Sequence, residues 1–304
     1  MAKIIVIAGP TASGKTDFAL KYAAEHNGEL LNADSRQIYK YMDIGTNKGE
    51  LTPAGDSLIL EGYTVQPFYV EGTKIISWLF DLVKPDQNFT VPDYQRICRA
   101  MITEITSRGK VPVLAGGTGL YIDAVIKGYL FQQVLPDTEL RKQLQELTGD
   151  ELFDLYWDAD QKSAQKLNES DMFNKVRLIR LIEIARQNPL QKKQKQEGLD
   201  YVMYYPVFER AELYAKINAR VIKMFEQGFV TEVRNLVEKG YRESRPLAGI
   251  GYREVLLHLD GKISHEECIG LVQQGHRNYA ARQITWFEGK SRGYEMEKVK
   301  FNQT

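Results

Sequence analysis

The stretch Lys3-Ile-Ile-Val-Ile-Ala-Gly-Pro-Thr-Ala-Ser-Gly-Lys-Thr16 decides the fold of this chain. Lys3 to Ala8 is an apolar, β-branched run that reads as a buried strand, and Gly9 to Thr16 follows at once in the spacing of a Walker A loop. A strand feeding such a loop feeds a helix next. The expectation is therefore an α/β chain with a P-loop NTPase-like parallel sheet flanked by helices. Gly9, Pro10, Thr11, Ala12, Ser13, Gly14, Lys15 and Thr16 are the expected diphosphate-binding residues. Backbone N–H groups in such a loop turn inward around phosphate oxygens, Lys15 adds a mobile cation, and Thr16 offers its hydroxyl to Mg2+. The loop alone leaves open whether the phosphate is transferred, hydrolysed or simply departs.

The chain has 304 residues, of which 43% are hydrophobic, enough for one large α/β core with a smaller insertion. Cys98 and Cys268 lie far apart without paired spacing, so they read as small buried hydrophobes rather than a disulfide or zinc site. His26, His258, His265 and His276 show no metal-ligand spacing and are assigned no role. No run approaches the roughly 18 apolar residues of a membrane span, and a soluble cytoplasmic monomer is expected. Net charge is zero, yet residues 129 to 161 carry a net of −6 and residues 162 to 198 a net of +5. Taken alone, that contrast reads as two solvated helical faces.

Along the chain, the first 128 residues alternate strand-like and helix-like segments. Thr16 to Glu25 and Val91 to Ser107 read as helices, and Glu29 to Asn32 and Val111 to Ala115 as buried strands; Leu51 to Pro85 is ambiguous. From residue 129 the pattern turns helical, at 138 to 147, 151 to 156, 160 to 167 and 176 to 186. Asn188-Pro189 then breaks the last helix, and 191 to 198 is a lysine-rich connector. Tyr201 to Phe208 returns to the sheet, and helices follow at 210 to 227, 230 to 239 and 264 to 287. The division is a core of residues 1 to 128 and 204 to 304, interrupted by a helical insertion of residues 129 to 203.

Three further segments carry polar chemistry. Asp34-Ser-Arg-Gln-Ile-Tyr39 follows the second strand, at the sheet edge where ligands collect. The Asp34 carboxylate there suits magnesium, proton acceptance from a nucleophile or a helix N-cap. Gly116-Gly-Thr-Gly-Leu-Tyr121 is a second glycine turn before a helix, and its Thr118 can face the same crevice. Leu247-Ala-Gly-Ile-Gly-Tyr-Arg-Glu254 precedes the last helix, whose Arg277 to Phe287 stretch presents basic and aromatic groups together. Such a mixture suits phosphate contact and stacking on an unpaired base, although aromatics at helical spacing more often pack a core.

Together these segments resemble the bacterial tRNA dimethylallyltransferases, or tRNA isopentenyltransferases. Gly9 to Thr16, Asp34 to Tyr39 with Asp43-Ile-Gly-Thr46, Gly116 to Tyr121, Ile250 to Glu254 and Arg282-Gln-Ile-Thr-Trp286 match that family in order and spacing. The resemblance implies prenyl transfer from dimethylallyl diphosphate to the exocyclic amine of the adenosine 3′-adjacent to a tRNA anticodon. It implies Asp34, Thr118 and Lys15 as catalytic residues, with Arg220 approaching the diphosphate. Asp34, Ser35, Arg36, Gln37, Thr118, Arg141, Arg177, Arg180, Gly251, Tyr252, Arg253, Arg282 and Gln283 are the tRNA-binding residues it implies. The insertion then holds the anticodon stem-loop, and the +5 segment becomes a phosphate-binding surface.

The chain departs from the family pattern at its periphery. Asp171-Met-Phe-Asn174 replaces a usual His-Pro-Asn-Asp, Ala281 and Glu288 stand where Lys and Arg are common, and Trp78 falls near a usual histidine. Two other readings remain open on the motifs alone: a P-loop small-molecule kinase transferring phosphate from ATP, and a non-catalytic RNA-binding protein. A compact kinase has no use for the elements after Leu247, and a binding protein has none for the intact Lys15, Thr16, Asp34 and Thr118.

Overall fold

The computed structural model describes residues 3–70, 72–131, 134, 137–187 and 197–301. The chain divides into two compact units, Met1–Gly128 with Glu197–Thr304, and Tyr129–Gln196.

The first unit opens with β1 (Ile4–Ala8), buried at every position, and α1 (Lys15–Glu25), which buries Ala19, Leu20 and Ala23. β2 (Gly28–Asn32) follows, also buried throughout. The ambiguous segment resolves into β3 (Leu51–Pro53), β4 (Leu58–Leu60), β5 (Tyr63–Val65), β6 (Phe68–Val70) and β7 (Ile76–Trp78). None of these exceeds three residues, too few for a period to declare itself. α2 (Val91–Ser107) begins with a capping box between Thr90 and Asp93 and tolerates Pro92 in its first turn. β8 (Val111–Gly116) and α3 (Gly119–Lys127) complete this half.

The second unit is a helical cluster: α4 (Thr138–Gln145), α5 (Gly149–Ala159), α6 (Gln161–Ala164), α7 (Glu169–Met172) and α8 (Lys175–Gln187). Its own core contains Leu144, Leu152, Tyr156, Ala164, Leu178, Ile179 and Ile182. The expected break at Asn188-Pro189 and residues 191 to 196 of the connector lie outside the described residues.

The chain re-enters the first unit at Glu197, earlier than the expected residue 204. The reason is pairing: β9 (Tyr201–Pro206) runs parallel to β1, with Tyr201 opposite Ile4. Then come α9 (Arg210–Glu226), α10 (Phe229–Glu238), α11 (Tyr252–Leu259), α12 (His265–Glu288) and β10 (Met296–Val299). The main sheet has the order β10-β9-β1-β8-β2-β7-β6-β3. It is parallel from β10 to β7 and closes with two antiparallel pairings, β7 with β6 and β6 with β3. The β4–β5 hairpin stands apart. Because β1, β8 and β2 are neighbours, the turns after Ala8, Gly116 and Asn32 emerge side by side at one sheet edge. That edge is where ligands of open parallel sheets bind. Cys98 and Cys268 are both buried and free, as expected.

Candidate active site

The Walker A loop takes its shape from two left-handed residues, Ala12 at φ 63° and Gly14 at φ 82°, the latter serving as N-cap of α1. A glycine adopts this backbone without cost, so Gly14 sets the turn that aims the first N–H groups of α1 into the loop. Lys15 folds back, its Nζ donating to Pro10 O at 3.2 Å. Burial lowers its pKa to about 8, with Asp34 pulling it up and Arg220 pushing it further down. Arg220, on α9, donates from Nη2 to Thr11 Oγ1 at 2.5 Å, and burial brings its own pKa down to about 10 against the pull of Asp34. The Arg220 Nε and the Ser13 Oγ are buried without a hydrogen-bond partner. Two desolvated cations and two orphaned donors around one loop make a site short of anionic acceptors.

Asp34 faces both cations from the turn after β2. One carboxylate oxygen accepts the Arg36 N–H at 2.8 Å, and the Asp34 N–H donates to Asn32 Oδ1 at 3.1 Å. This local turn replaces the N-cap alternative, since no helix follows Asp34. Thr118 Oγ1 accepts the Ser35 N–H at 3.0 Å and lies 3.3 Å from Ser35 Oγ. It also hydrogen-bonds Tyr279 of α12, whose hydroxyl is pushed above its ordinary pKa chiefly by burial and by Asp34. Lys15, Asp34, Thr118 and Arg220 are thus brought together. Thr16 is exposed on the same loop.

Several residues expected to touch RNA serve the framework instead. Gln283 is 4% exposed: its Oε1 accepts the Thr11 N–H at 2.8 Å, and its Nε2 donates to Gly117 O at 2.9 Å. It ties the Walker A loop to the second glycine turn. Added Cβ atoms at Gly117 and Gly119 would fall 2.2 Å or less from Gln283 and Trp286, so these glycines admit α12 rather than a ligand. Tyr252 is 2% exposed and donates to Glu232, which also accepts the N–H groups of Asp43, Ile44 and Gly45. Gly251, at φ 86°, donates its N–H to Glu254 and packs near Phe229. The Asp43 to Thr46 and Ile250 to Glu254 motifs are therefore two ends of one bracket centred on the half-buried Glu232.

Arg36, Arg253 and Arg282 do remain exposed, and Ser35 and Gln37 partly so, with Gln37 Nε2 donating to the carbonyls of Thr46 and Asn47. In the helical unit, Arg141 is spent on Glu183, a carboxylate with no exposed surface, through bonds of 2.6 and 2.8 Å. Arg180 donates to the same carboxylate and to Val134 O. Both residues expected to contact RNA are thus tied to Glu183 within the helical unit while keeping 38% and 35% of their side chains exposed. Arg177 is bonded to Asp171 at 2.6 Å yet keeps 54% of its side chain exposed.

Beside the loop runs a cleft of about 670 Å³, polar at Thr16, Asn32, Gln37 and Asn47 and apolar at Leu20 and Phe80. Trp78, the last residue of β7, is buried and donates to Glu29. Tyr279, Glu232 and His276 were not singled out from the sequence. His276 is half-buried near Arg220, its Nε2 enclosed without a partner and its pKa lowered to about 3 by burial and then by that cation. A tyrosine or histidine inside a helix carries no local signal of such a contact. Among the described residues no group of His, Cys, Asp or Glu is suited to hold a metal by itself, and no helix is long and apolar enough to cross a membrane.

A family model described as IPP transferase matches residues 62–290. The tRNA dimethylallyltransferase of Acetivibrio thermocellus is 37% identical, over 99% of this chain and 94% of that protein. The tRNA dimethylallyltransferase 1 of Citrifermentans bemidjiense is also 37% identical, over 97% and 92%. Among solved structures, the tRNA isopentenylpyrophosphate transferase of Bacillus halodurans superposes with a TM-score of 0.68 at 32% identity, covering 99% of this chain and 90% of that one. A eukaryotic dimethylallyltransferase acting on tRNA shares the fold, with a TM-score of 0.76 at 23% identity over 99% of this chain and 74% of its own.

Proposed function

This chain belongs to the IPP transferase family, and on that premise we propose that it moves a dimethylallyl group from dimethylallyl diphosphate to the exocyclic amine of the adenosine 3′-adjacent to a tRNA anticodon. It is a tRNA dimethylallyltransferase by kinship, and phosphoryl transfer from ATP to a small molecule is not favoured. The observation that carries the assignment of roles is the convergence of Lys15, Arg220 and the orphaned Ser13 Oγ opposite the Asp34 carboxylate.

Gly9 to Thr16 and Arg220 would hold the diphosphate. As the carbon–oxygen bond breaks, negative charge builds on the departing oxygen, and Lys15 and Arg220 offset it in a desolvated site where their field is strong. Diphosphate binding restores the proton affinity that burial takes from Lys15. The amine nitrogen forms the new carbon–nitrogen bond, the diphosphate leaves with the old bonding pair, and the amine proton passes to Asp34. The Arg36 N–H fixes one oxygen of that carboxylate and leaves the other to accept the proton. Thr118 acts by holding the Ser35 N–H and so the turn that carries Asp34. Ser35, Arg36, Gln37, Arg253 and Arg282 supply RNA contacts from this unit, and the helical unit contributes the stem-loop surface.

The donor set around the loop suits Mg2+ bound mainly through substrate: Thr16 offers one exposed hydroxyl, and a hard cation takes its remaining oxygens from diphosphate and water. When bound, Mg2+ would neutralise charge on the leaving diphosphate. We assign the enzyme to the cytoplasm as a monomer, in keeping with a soluble tRNA substrate.

The test is transfer of a labelled dimethylallyl group to an anticodon stem-loop with adjacent unpaired adenosines, in the presence of magnesium. Phosphate transfer from ATP to a metabolite, without RNA labelling, would refute the reading. Asp34→Asn should lower kcat by roughly 100-fold or more while leaving diphosphate binding nearly unchanged. Loss of diphosphate binding in that variant would make Asp34 a metal ligand instead.

A further inference from the structure

Five consecutive residues at the start of α8, Phe173-Asn-Lys-Val-Arg177, are exposed, and two of them are large and apolar. Phe173 is 65% exposed and Val176 is 75% exposed, values at odds with the burial of Leu178, Ile179 and Ile182 on the same helix. Leaving a phenylalanine ring in water forgoes the transfer energy that buries most aromatics, so an exposed ring beside a second exposed apolar side chain marks a contact surface.

The surrounding charge selects the partner. Lys175 and Arg177 interleave with the two apolar residues, and the stretch contains no acidic residue. Asp171, the nearest carboxylate in sequence, has only 14% of its side chain exposed and is already bonded to Arg177. Asn174 caps the helix by accepting the Arg177 N–H at 3.1 Å, so the first turn of a 13-residue helix opens into the same patch with its positive end. An aromatic ring flanked by cations at a helix N-terminus matches a nucleotide, with the ring on the base and the cations on the phosphates.

We propose that Phe173 is a stacking platform for an unpaired base of the RNA substrate, with Val176 supporting the base edge and Lys175 and Arg177 holding the adjacent phosphates. The inference rests on the reading that this enzyme acts on an RNA stem-loop. It commits to single-stranded RNA because a base within a duplex has both faces covered and offers none to the ring. It also gives the +3 of charge on residues 162 to 187 a specific use where Arg180 is consumed internally. The residue that breaks the expected motif at Asp171 to Asn174 is thereby read as a replacement contact rather than a loss.

The experiment compares the full-length enzyme with Phe173→Ala, Phe173→Trp and Val176→Ala, using a fluorescein-labelled anticodon stem-loop for Kd and the labelled-transfer assay for kcat and the donor KM. Phe173→Ala should weaken RNA binding by about 5- to 100-fold, the range seen when one base loses its aromatic partner, and leave the donor KM unchanged. Phe173→Trp should restore binding to within about threefold, and its added indole fluorescence should be quenched by the RNA. A Phe173→Ala enzyme that binds RNA within twofold of wild type, while wild type prenylates the RNA, overturns the stacking assignment alone. So does a dimer of the wild type that Phe173→Ala dissociates without change in RNA affinity. Wild-type enzyme that neither binds nor labels the stem-loop overturns the functional reading itself, an outcome distinct from both.

Discussion

Replacing Gln283 with leucine removes both ends of the tie between the Walker A loop and the second glycine turn. Two backbone groups then lose their partners inside the protein: the Thr11 N–H, which donates at 2.8 Å, and the Gly117 carbonyl, which accepts at 2.9 Å. Each buried unsatisfied group costs about 1–3 kcal/mol, so the variant should lose about 2–6 kcal/mol, less what a leucine gains by burial at a position 4% exposed. For a chain of 304 residues that amounts to a fall of about 3–9 °C in Tm, followed by scanning calorimetry. Because Thr11 also receives Arg220, freeing it loosens the guanidinium, and the donor KM should rise about tenfold with RNA affinity unchanged. Gln283→Glu separates the two bonds: it keeps an acceptor for Thr11, loses the donor to Gly117 and adds an anion to a phosphate site. It should damage donor binding more than Gln283→Leu. Weaker RNA binding by Gln283→Leu, with unchanged Tm and donor KM, would refute the packing argument and return Gln283 to the RNA surface.

Lys15 sets a pH limit. In the free enzyme its charge is lost above about pH 8, so kcat/KM for the donor should fall about tenfold per pH unit there, while kcat persists to higher pH because bound diphosphate holds the proton; stopped-flow donor binding across pH 7 to 10 checks this. The same depressed pKa penalises folding while Lys15 is charged in the native state, and the penalty is relieved as pH rises from about 8 to 10.5. Glu183→Gln should destabilise the helical unit by about 1–3 kcal/mol, discounted for the partial exposure of Arg141 and Arg180, as read from urea unfolding. The Glu183 carboxyl is held below its ordinary 4.5, burial notwithstanding, by bonds from Arg141, Arg180 and the Asp137 N–H. Its stabilising contribution is therefore present above pH 4.5 and lost as pH falls through the lowered value, and Glu183→Gln should flatten acid unfolding.

The long elements were legible because their periods had room to repeat. α2 matches the expected Val91 to Ser107, and α9, α10 and α12 fall within a residue or so of expectation at each end. The strands between Leu51 and Trp78 were not, since each is three residues long and their antiparallel order follows from partners elsewhere in the chain. β10 was missed for a related reason: Met296–Val299 pairs along one edge with β9, buries none of its four residues and shows little alternation. In the site, the phosphate loop and Asp34 were readable from local spacing. Arg220 and Gln283 reach Thr11 across 209 and 272 residues, and no local pattern reports such a distance.

That difference also explains why motif residues assigned to RNA proved structural. A motif marks positions where substitution is costly, and two kinds of cost look alike in a sequence: losing a contact to substrate, and losing a buried tie that holds the contacting residue. Gln283, Gly251 and Tyr252 carry the second kind. Each sits against backbone or a carboxylate, and each acts on the site by fixing a loop. Their burial has a consequence for where binding can adapt. A change at Tyr252 must repack Glu232 and with it the Asp43 to Gly45 backbone, whereas Arg36, Arg253, Arg282 and Phe173 stand in solvent and can change without disturbing the phosphate loop. On the proposed assignment, RNA preference is tuned on these exposed side chains. The proposed diphosphate site is instead held by a network anchored on the buried Gln283 and Tyr252.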